Sequence, residues 1–245
     1  MLWLGTEACY SVSSVSILLE ISVETAEAAL AAERGGARRV ELCAELRVGG
    51  LTPAEGLMRR VREMVQVPIF AMIRPRAGDF VYSSGEFERM QADIETARRA
   101  RMDGIVLGIL TRERTVDVAR TRELVNFARP LPVTFHRAFD DVADLDAGLE
   151  DVIETSAARI LTSGGAAAAP AALDRLARLV AAAKERIIIL PGGGINASNV
   201  MQVARKTGAR EIHSGLGSVL AYGQEDYKLF EDEVRKLAMQ LASAI

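Results

Sequence analysis

Short runs rich in Ile, Val and Leu alternate along this chain with longer stretches whose apolar residues recur at helical spacing. The runs begin near Ile17, Arg38, Pro68, Gly104, Leu131, Ala158, Arg186 and Arg210, roughly 27 residues apart. Between them lie patterns such as Leu57-Val61-Met64-Val65, Leu124-Phe127-Ala128 and Leu173-Leu176-Leu179-Val180, where apolar residues return every three or four positions. The last is rich in Ala, a strong helix former, and Pro170 before it suits a first helical turn. A closing amphipathic stretch, Tyr227 to Leu241, has no strand pattern after it. Eight strand–helix units over about 250 residues predict an α/β fold, a (β/α)8 TIM barrel. An open doubly wound sheet is the alternative, usually with fewer strands. No linker or low-complexity block divides residues 17–245, which read as one domain.

Neighbouring residues of a strand point to opposite faces. In each run one parity is apolar and suits a helical layer: Leu19 and Ile21, Val40 and Leu42, Ile69 and Ala71, Ile105 and Leu107, Val133 and Phe135, and Ile212. The other parity then faces the barrel interior. It holds Glu20, Ser22, Glu41, Cys43, Met72, Arg74, Thr134, His136, Glu211 and His213. Charges in a closed interior are costly unless paired or functional. One reading is a buried ion-pair network, for example Arg74 with Glu41. The other is a site at the C-terminal strand ends, where barrel enzymes work. There Glu20, Glu41, His136 and His213 are candidate proton-transfer groups.

The loops after the strands add candidate ligand-binding groups. Arg74, Arg76 and Asp79 belong to a loop dense in Arg, Asp and aromatic residues, and Arg offers a fork of donors to carboxylate or phosphate. In His136-Arg137-Ala138-Phe139-Asp140, Arg137 offers a further cation, and Asp140 is placed either to orient the imidazole or to cap the next helix. Ser163 precedes two glycines. Gly192, Gly193 and Gly194 lead through Ile195 and Asn196 toward a helix, the arrangement with which barrels hold anions on backbone N–H groups. Arg74, these glycines and a helix beginning near Asn196 are expected to converge on one anion.

Composition narrows the partners. The chain is 49% hydrophobic, too apolar for disorder, and its 30 basic and 33 acidic residues leave no excess for a broad nucleic-acid face. The longest apolar runs are far too short to cross a bilayer. Cys9 and Cys43 build neither a disulfide framework nor a CxxC metal motif, which suits a reducing, cytoplasmic compartment. Residues 1–16 lack a basic residue ahead of their apolar patch, so they make a poor secretory signal and read as a loose N-terminal extension.

The segments GGARRVELCAELRVGGLTPAEGL, IRPRAGDFVYSSGEFERMQADI, VTFHRAFD, RILTSGG, GGGIN and EIHSG resemble the CutC family of copper homeostasis proteins, in the family's order. The resemblance runs from about residue 17 to 220. It implies a cytoplasmic TIM barrel, often a homo-oligomer, associated with copper tolerance and proposed to bind Cu(I). Some members carry one or two Cys after the Glu of the first strand. Here that segment reads Leu19-Glu20-Ile21-Ser22-Val23, leaving Cys43 as the candidate metal ligand, helped by Met72 and a histidine. Copper enters through the resemblance alone, since Cu(I) favours sulfur donors and the interior is richer in Glu, His and Arg.

Three functions follow. One is a non-catalytic copper-handling protein. Another is an enzyme of isomerase, lyase or aldolase type acting on a small anionic or phosphorylated substrate. The third is a scaffold without a ligand, which the charged interior opposes. A Schiff-base aldolase needs a lysine at a strand end, and Lys184, Lys206, Lys228 and Lys236 all fall on predicted helices.

Overall fold

Eight parallel strands follow one another around a nearly closed barrel in the computed structural model, which describes residues 17–216 and 226–243. They are β1 (Leu18–Val23), β2 (Arg39–Leu42), β3 (Ile69–Met72), β4 (Gly104–Leu107), β5 (Val133–Phe135), β6 (Arg159–Thr162), β7 (Ile188–Pro191) and β8 (Glu211–Ser214). Each starts within two residues of its expected position. The hydrogen-bonded order is β7-β6-β5-β4-β3-β2-β1-β8. Across the remaining gap, the Ser214 hydroxyl donates to the carbonyl of Ile195 beyond β7, at 2.6 Å. The expected extension, residues 1–16, lies outside the described residues, as does Cys9.

Helices α1 (Ala26–Gly35), α2 (Glu55–Met64), α3 (Ser84–Arg99), α4 (Val118–Ala128), α5 (Leu145–Glu154), α6 (Leu173–Ala183), α7 (Val200–Thr207) and α8 (Tyr227–Ala242) form the outer layer. Thr25 caps α1, and Ser83 with Glu86 closes a capping box on α3. Three local expectations change. Pro170 sits in a separate 3-10 turn, Ala169–Ala171, before α6. The helix placed near Asn196 starts at Val200, because the Asn side chains fold residues 196–199 into a turn: Asn199 Oδ1 accepts from the Asn196 amide and Asn196 Oδ1 from that of Ser198. Asp144, not Asp140, caps α5.

Strand parity divides the apolar residues into two clusters. The larger joins strands to helices and contains Leu19, Ile21, Val40, Leu42, Ile105, Phe135 and Ile212. Each such side chain contributes roughly 1.5–3 kcal/mol through burial. The smaller lies inside the barrel and consists of Cys43, Phe70, Met72 and Val106, with Leu46 against it.

Candidate functional site

The interior polar residues are stacked in two layers. In the lower one, toward the N-terminal strand ends, Arg39 of β2 binds Glu20 of β1 and reaches Glu211 of β8 at 2.6 Å. Arg159 of β6 meets Glu211 at 2.9 Å. Both guanidinium groups lie near the Phe70 ring, 4.9 and 5.2 Å from its centroid. This buried network is the one that parity implied, but with different cations. The suggested Arg74–Glu41 pair does not form: the Nη atoms of Arg74 hold the carbonyls of Val48, Gly50 and Gly78, and the network's cation Arg39, one layer below Glu41 on the same strand, pairs with Glu20 and Glu211. Arg39 was legible, since it stands two residues before Glu41, an inward position of its strand; Arg159 was not anticipated.

The upper layer opens into a cavity of about 560 Å³ at the C-terminal strand ends, a size suited to a small ligand. Ser22, Glu41, Met72, Arg74, His136 and His213 line it from the barrel. Loops add Val48, Phe80, Arg137, Asp140, Gly193 and Gly194. Gly193 and Gly194 take left-handed φ of 95° and 68°, which glycine adopts without strain.

Glu20 joins the layers. Its Oε1 lies 2.7 Å from Nδ1 of His213, while Arg39 holds its Oε2. Burial would push this carboxyl up; the Arg39 charge and the His213 hydrogen bond overcome it and bring it down to about 2. Burial would likewise lower His213, but the carboxylates of Glu41 and Glu20 raise it above its ordinary value. Glu41 is itself raised, by burial first and by the Glu20 charge as well. The group beside the cavity is therefore a carboxyl displaced toward neutral pH next to an imidazole fixed by a carboxylate, a combination suited to proton transfer.

His136 does not share that role. Its Nδ1 accepts from the Ala138 amide at 3.2 Å, which leaves the ring proton on Nε2. Burial and then the Arg74 charge lower its pKa to about 3. It is a neutral hydrogen-bond donor, not the expected acid–base partner. Arg74 also differs from expectation. Its Nη atoms donate to the carbonyls of Val48, Gly50 and Gly78, so much of the anticipated fork staples two loops.

Arg76, Asp79, Ser163, Gly192 and Asn196 lie off the cavity wall, and Asp140, which lines it, is engaged by the protein itself. Arg76 pairs with Asp79 at 2.8 Å and with Glu86, and donates to the Val81 carbonyl at 2.8 Å, organising its own loop. The Asp140 carboxylate accepts from the amides of Ser163 and Gly165, from both hydroxyls of Thr162 and Ser163, and from Arg137. The anion nest after β6 thus holds the protein's own carboxylate, and Ser163 serves that nest; Asp140 touches neither His136 nor a helix cap. Gly192 packs at the β7–β8 seam, where an added Cβ would come within 2.5 Å of Leu161. Asn196 belongs to the turn before α7. Of the expected anion elements, Arg74, Arg137, Gly193 and Gly194 share the cavity. Phe80, against which Arg74 and His136 pack, was not anticipated; the aromatic content of its loop was the available signal.

The donor set does not fit a sulfur-rich Cu(I) centre. Cys43 is fully buried, and its thiol, bonded to Glu41 at 3.3 Å, is pushed well above its ordinary pKa by burial and that carboxyl. Met72 adds one thioether in the same cluster; the rest is oxygen and nitrogen. Glu20, Glu41 and His213 bring ligand atoms within 4.8 Å of one another. Glu20, however, has one oxygen on Arg39 and the other on His213, so its carboxylate is already engaged by the protein.

The chain matches the model of the CutC family over residues 17–218. It is 45% identical to the human copper homeostasis protein cutC homolog over 208 residues, 85% of this chain and 76% of that protein. It is 41% identical over 231 residues to a family protein CutC of Chromobacterium violaceum, covering 93% and 94% of the two. Among solved structures, a putative copper homeostasis protein CutC from Streptococcus agalactiae superposes with a TM-score of 0.76 at 32% identity, covering 81% of this chain and 98% of that one. None of the helices among the described residues is long and apolar enough to cross a membrane.

Proposed function

The chain belongs to the CutC family of copper homeostasis proteins, with its TIM-barrel fold, and on that premise we propose that its upper pocket binds a small anionic molecule and transfers a proton on it. Glu41 is the proton-transferring group. His213, oriented by Glu20, is its acid–base partner, and Arg74, Arg137 and the Gly193–Gly194 backbone provide the anion end. The single observation that carries this reading is the Glu41–His213–Glu20 arrangement at the cavity floor, with the 2.7 Å Glu20–His213 bond fixing the ring. No cysteine follows Glu20 in β1, so among the described residues the interior lacks a thiol pair with which to bind copper directly.

Thermal melting tests the reading. A ligand that binds only the native state raises the melting temperature by mass action. At least one phosphorylated or carboxylated small molecule is expected to do so. A flat response across a broad set of such compounds would remove the proposal and leave the glycines as turn formers.

A further inference from the structure

Three residues that line this one pocket each carry a buried side-chain atom with no hydrogen-bond partner: Nε2 of His136, Nε of Arg74 and Oε2 of Glu41. A buried polar atom left unpaired costs roughly 1–3 kcal/mol, and three around one cavity describe the complement of a ligand. Their placement is polarised. His136 follows β5 and Arg74 follows β3, and both pack on Phe80: the His136 ring centroid lies 4.9 Å from that of Phe80, and the Arg74 guanidinium carbon lies 4.8 Å from it. With Nδ1 of His136 accepting from the Ala138 amide, its N–H is directed away from the backbone. The Nη atoms of Arg74 hold the carbonyls of Val48, Gly50 and Gly78, which leaves Nε–H as the unpaired donor. Glu41 lies toward the β1–β8 side, beside Glu20 and His213, and its Oε1 is occupied by the Cys43 thiol.

We infer that the pocket holds its ligand end to end, with an acceptor oxygen on the two N–H groups of His136 and Arg74 and a hydroxyl on Oε2 of Glu41. The first wall offers only donors, so it selects an oxygen that carries no hydrogen: a carbonyl, carboxylate or phosphoryl oxygen. The second wall is a carboxyl, which a hydroxyl satisfies in either protonation state. The ligand class is therefore a small anion bearing a hydroxyl, and a hydrogen-free anion or an uncharged polyol satisfies only one wall. His136 acts as a neutral electrophile toward the acceptor oxygen, since burial and Arg74 keep its ring uncharged. This assignment rests on the reading that the pocket takes a small anion, and it adds the ligand's polarity and orientation.

Glycerol 3-phosphate is a suitable probe, with inorganic phosphate and glycerol as single-wall controls. Nitrogen-edited NMR of the full chain reads both donors directly. The expected result is an Nε2–H tautomer for His136 at neutral pH, with glycerol 3-phosphate shifting that proton and the Arg74 Nε–H together. Its affinity should exceed that of either control by about tenfold or more, and His136→Phe should weaken it by about tenfold. Binding that leaves both signals in place, or an Nδ1–H tautomer for His136, overturns the orientation and leaves the pocket reading standing. Binding of phosphate as tight as that of glycerol 3-phosphate overturns the hydroxyl requirement. If glycerol 3-phosphate stays silent while other small anions raise the melting temperature, the ligand class is wrong; silence of every anion removes the pocket reading itself. The wild-type signals decide the matter should His136→Phe fail to fold.

Discussion

Nδ1 of His213 and Oε1 of Glu20 sit 2.7 Å apart in the barrel interior, and Arg39 holds the second oxygen of the same carboxylate. One side chain therefore ties the structural layer of the barrel to the layer that lines the pocket.

Replacing Glu20 breaks both links. Glu20→Gln leaves Arg39 with Glu211 alone and removes a charge that supports protonated His213. Breaking a buried pair costs about 3–5 kcal/mol. Urea denaturation should show a loss of that order, and the His213 ring, followed by NMR, should titrate at lower pH than in the wild type.

The two histidines bend the pH profile of stability in opposite ways. The folded His136 value, about 3, lies below the 6.5 of the unfolded chain. Its stabilisation is present above about pH 6.5 and is lost as pH falls. Glu41, which is raised, offsets part of that loss in the wild type, so the difference between variants is the informative quantity. The stability deficit of His136→Phe relative to the wild type should shrink by about 2 kcal/mol between about pH 7 and pH 5. His213 is raised, so its contribution is complete below about pH 6.5 and is lost as pH rises through the folded value. His213→Asn should flatten that alkaline limb. Urea midpoints measured across pH check both.

Asp140 is expected to be structural. Its carboxylate accepts from two loop amides, two hydroxyls and Arg137. Asp140→Ala strands those donors, and a cost of about 3 kcal/mol follows from charge-assisted bonds of this kind. Denaturation midpoints measure it. A neutral effect would mean that the nest after β6 is empty in solution and open to an external anion.

Much of this was legible in the sequence. Strand parity separates Leu19, Ile21, Val40 and Leu42 from Glu20 and Glu41 because a closed barrel gives each face a different solvent, and the interior site follows directly. Pairing was less legible. Arg39 and Arg74 both have inward parity, and only their height along the barrel decides which meets the carboxylates. Loop contacts were least legible. Asp140 fills a glycine nest made by residues more than twenty positions away, and Asn199 delays α7 through local side-chain bonds; neither leaves a periodic signal.

Cu(I) should bind weakly. Cys43 is buried and held protonated by its surroundings, and among the described residues the interior cluster offers one thiol and one thioether. Competition against a Cu(I) chelator should show the chelator keeping the metal. Tight one-to-one binding that disappears in Cys43→Ser would contradict the donor-set reading.

Solvent exchange is the most direct test of the proton-transfer site. In deuterated water, a small anion that raises the melting temperature should acquire deuterium at a carbon-bound position in the presence of the wild-type protein, as followed by NMR. The rate should fall by about a hundredfold or more in Glu41→Gln, the loss typical of removing a positioned acid–base group. Exchange at the same rate in Glu41→Gln, or a ligand that binds the wild type without exchanging a hydrogen, would contradict the assignment of proton transfer to Glu41.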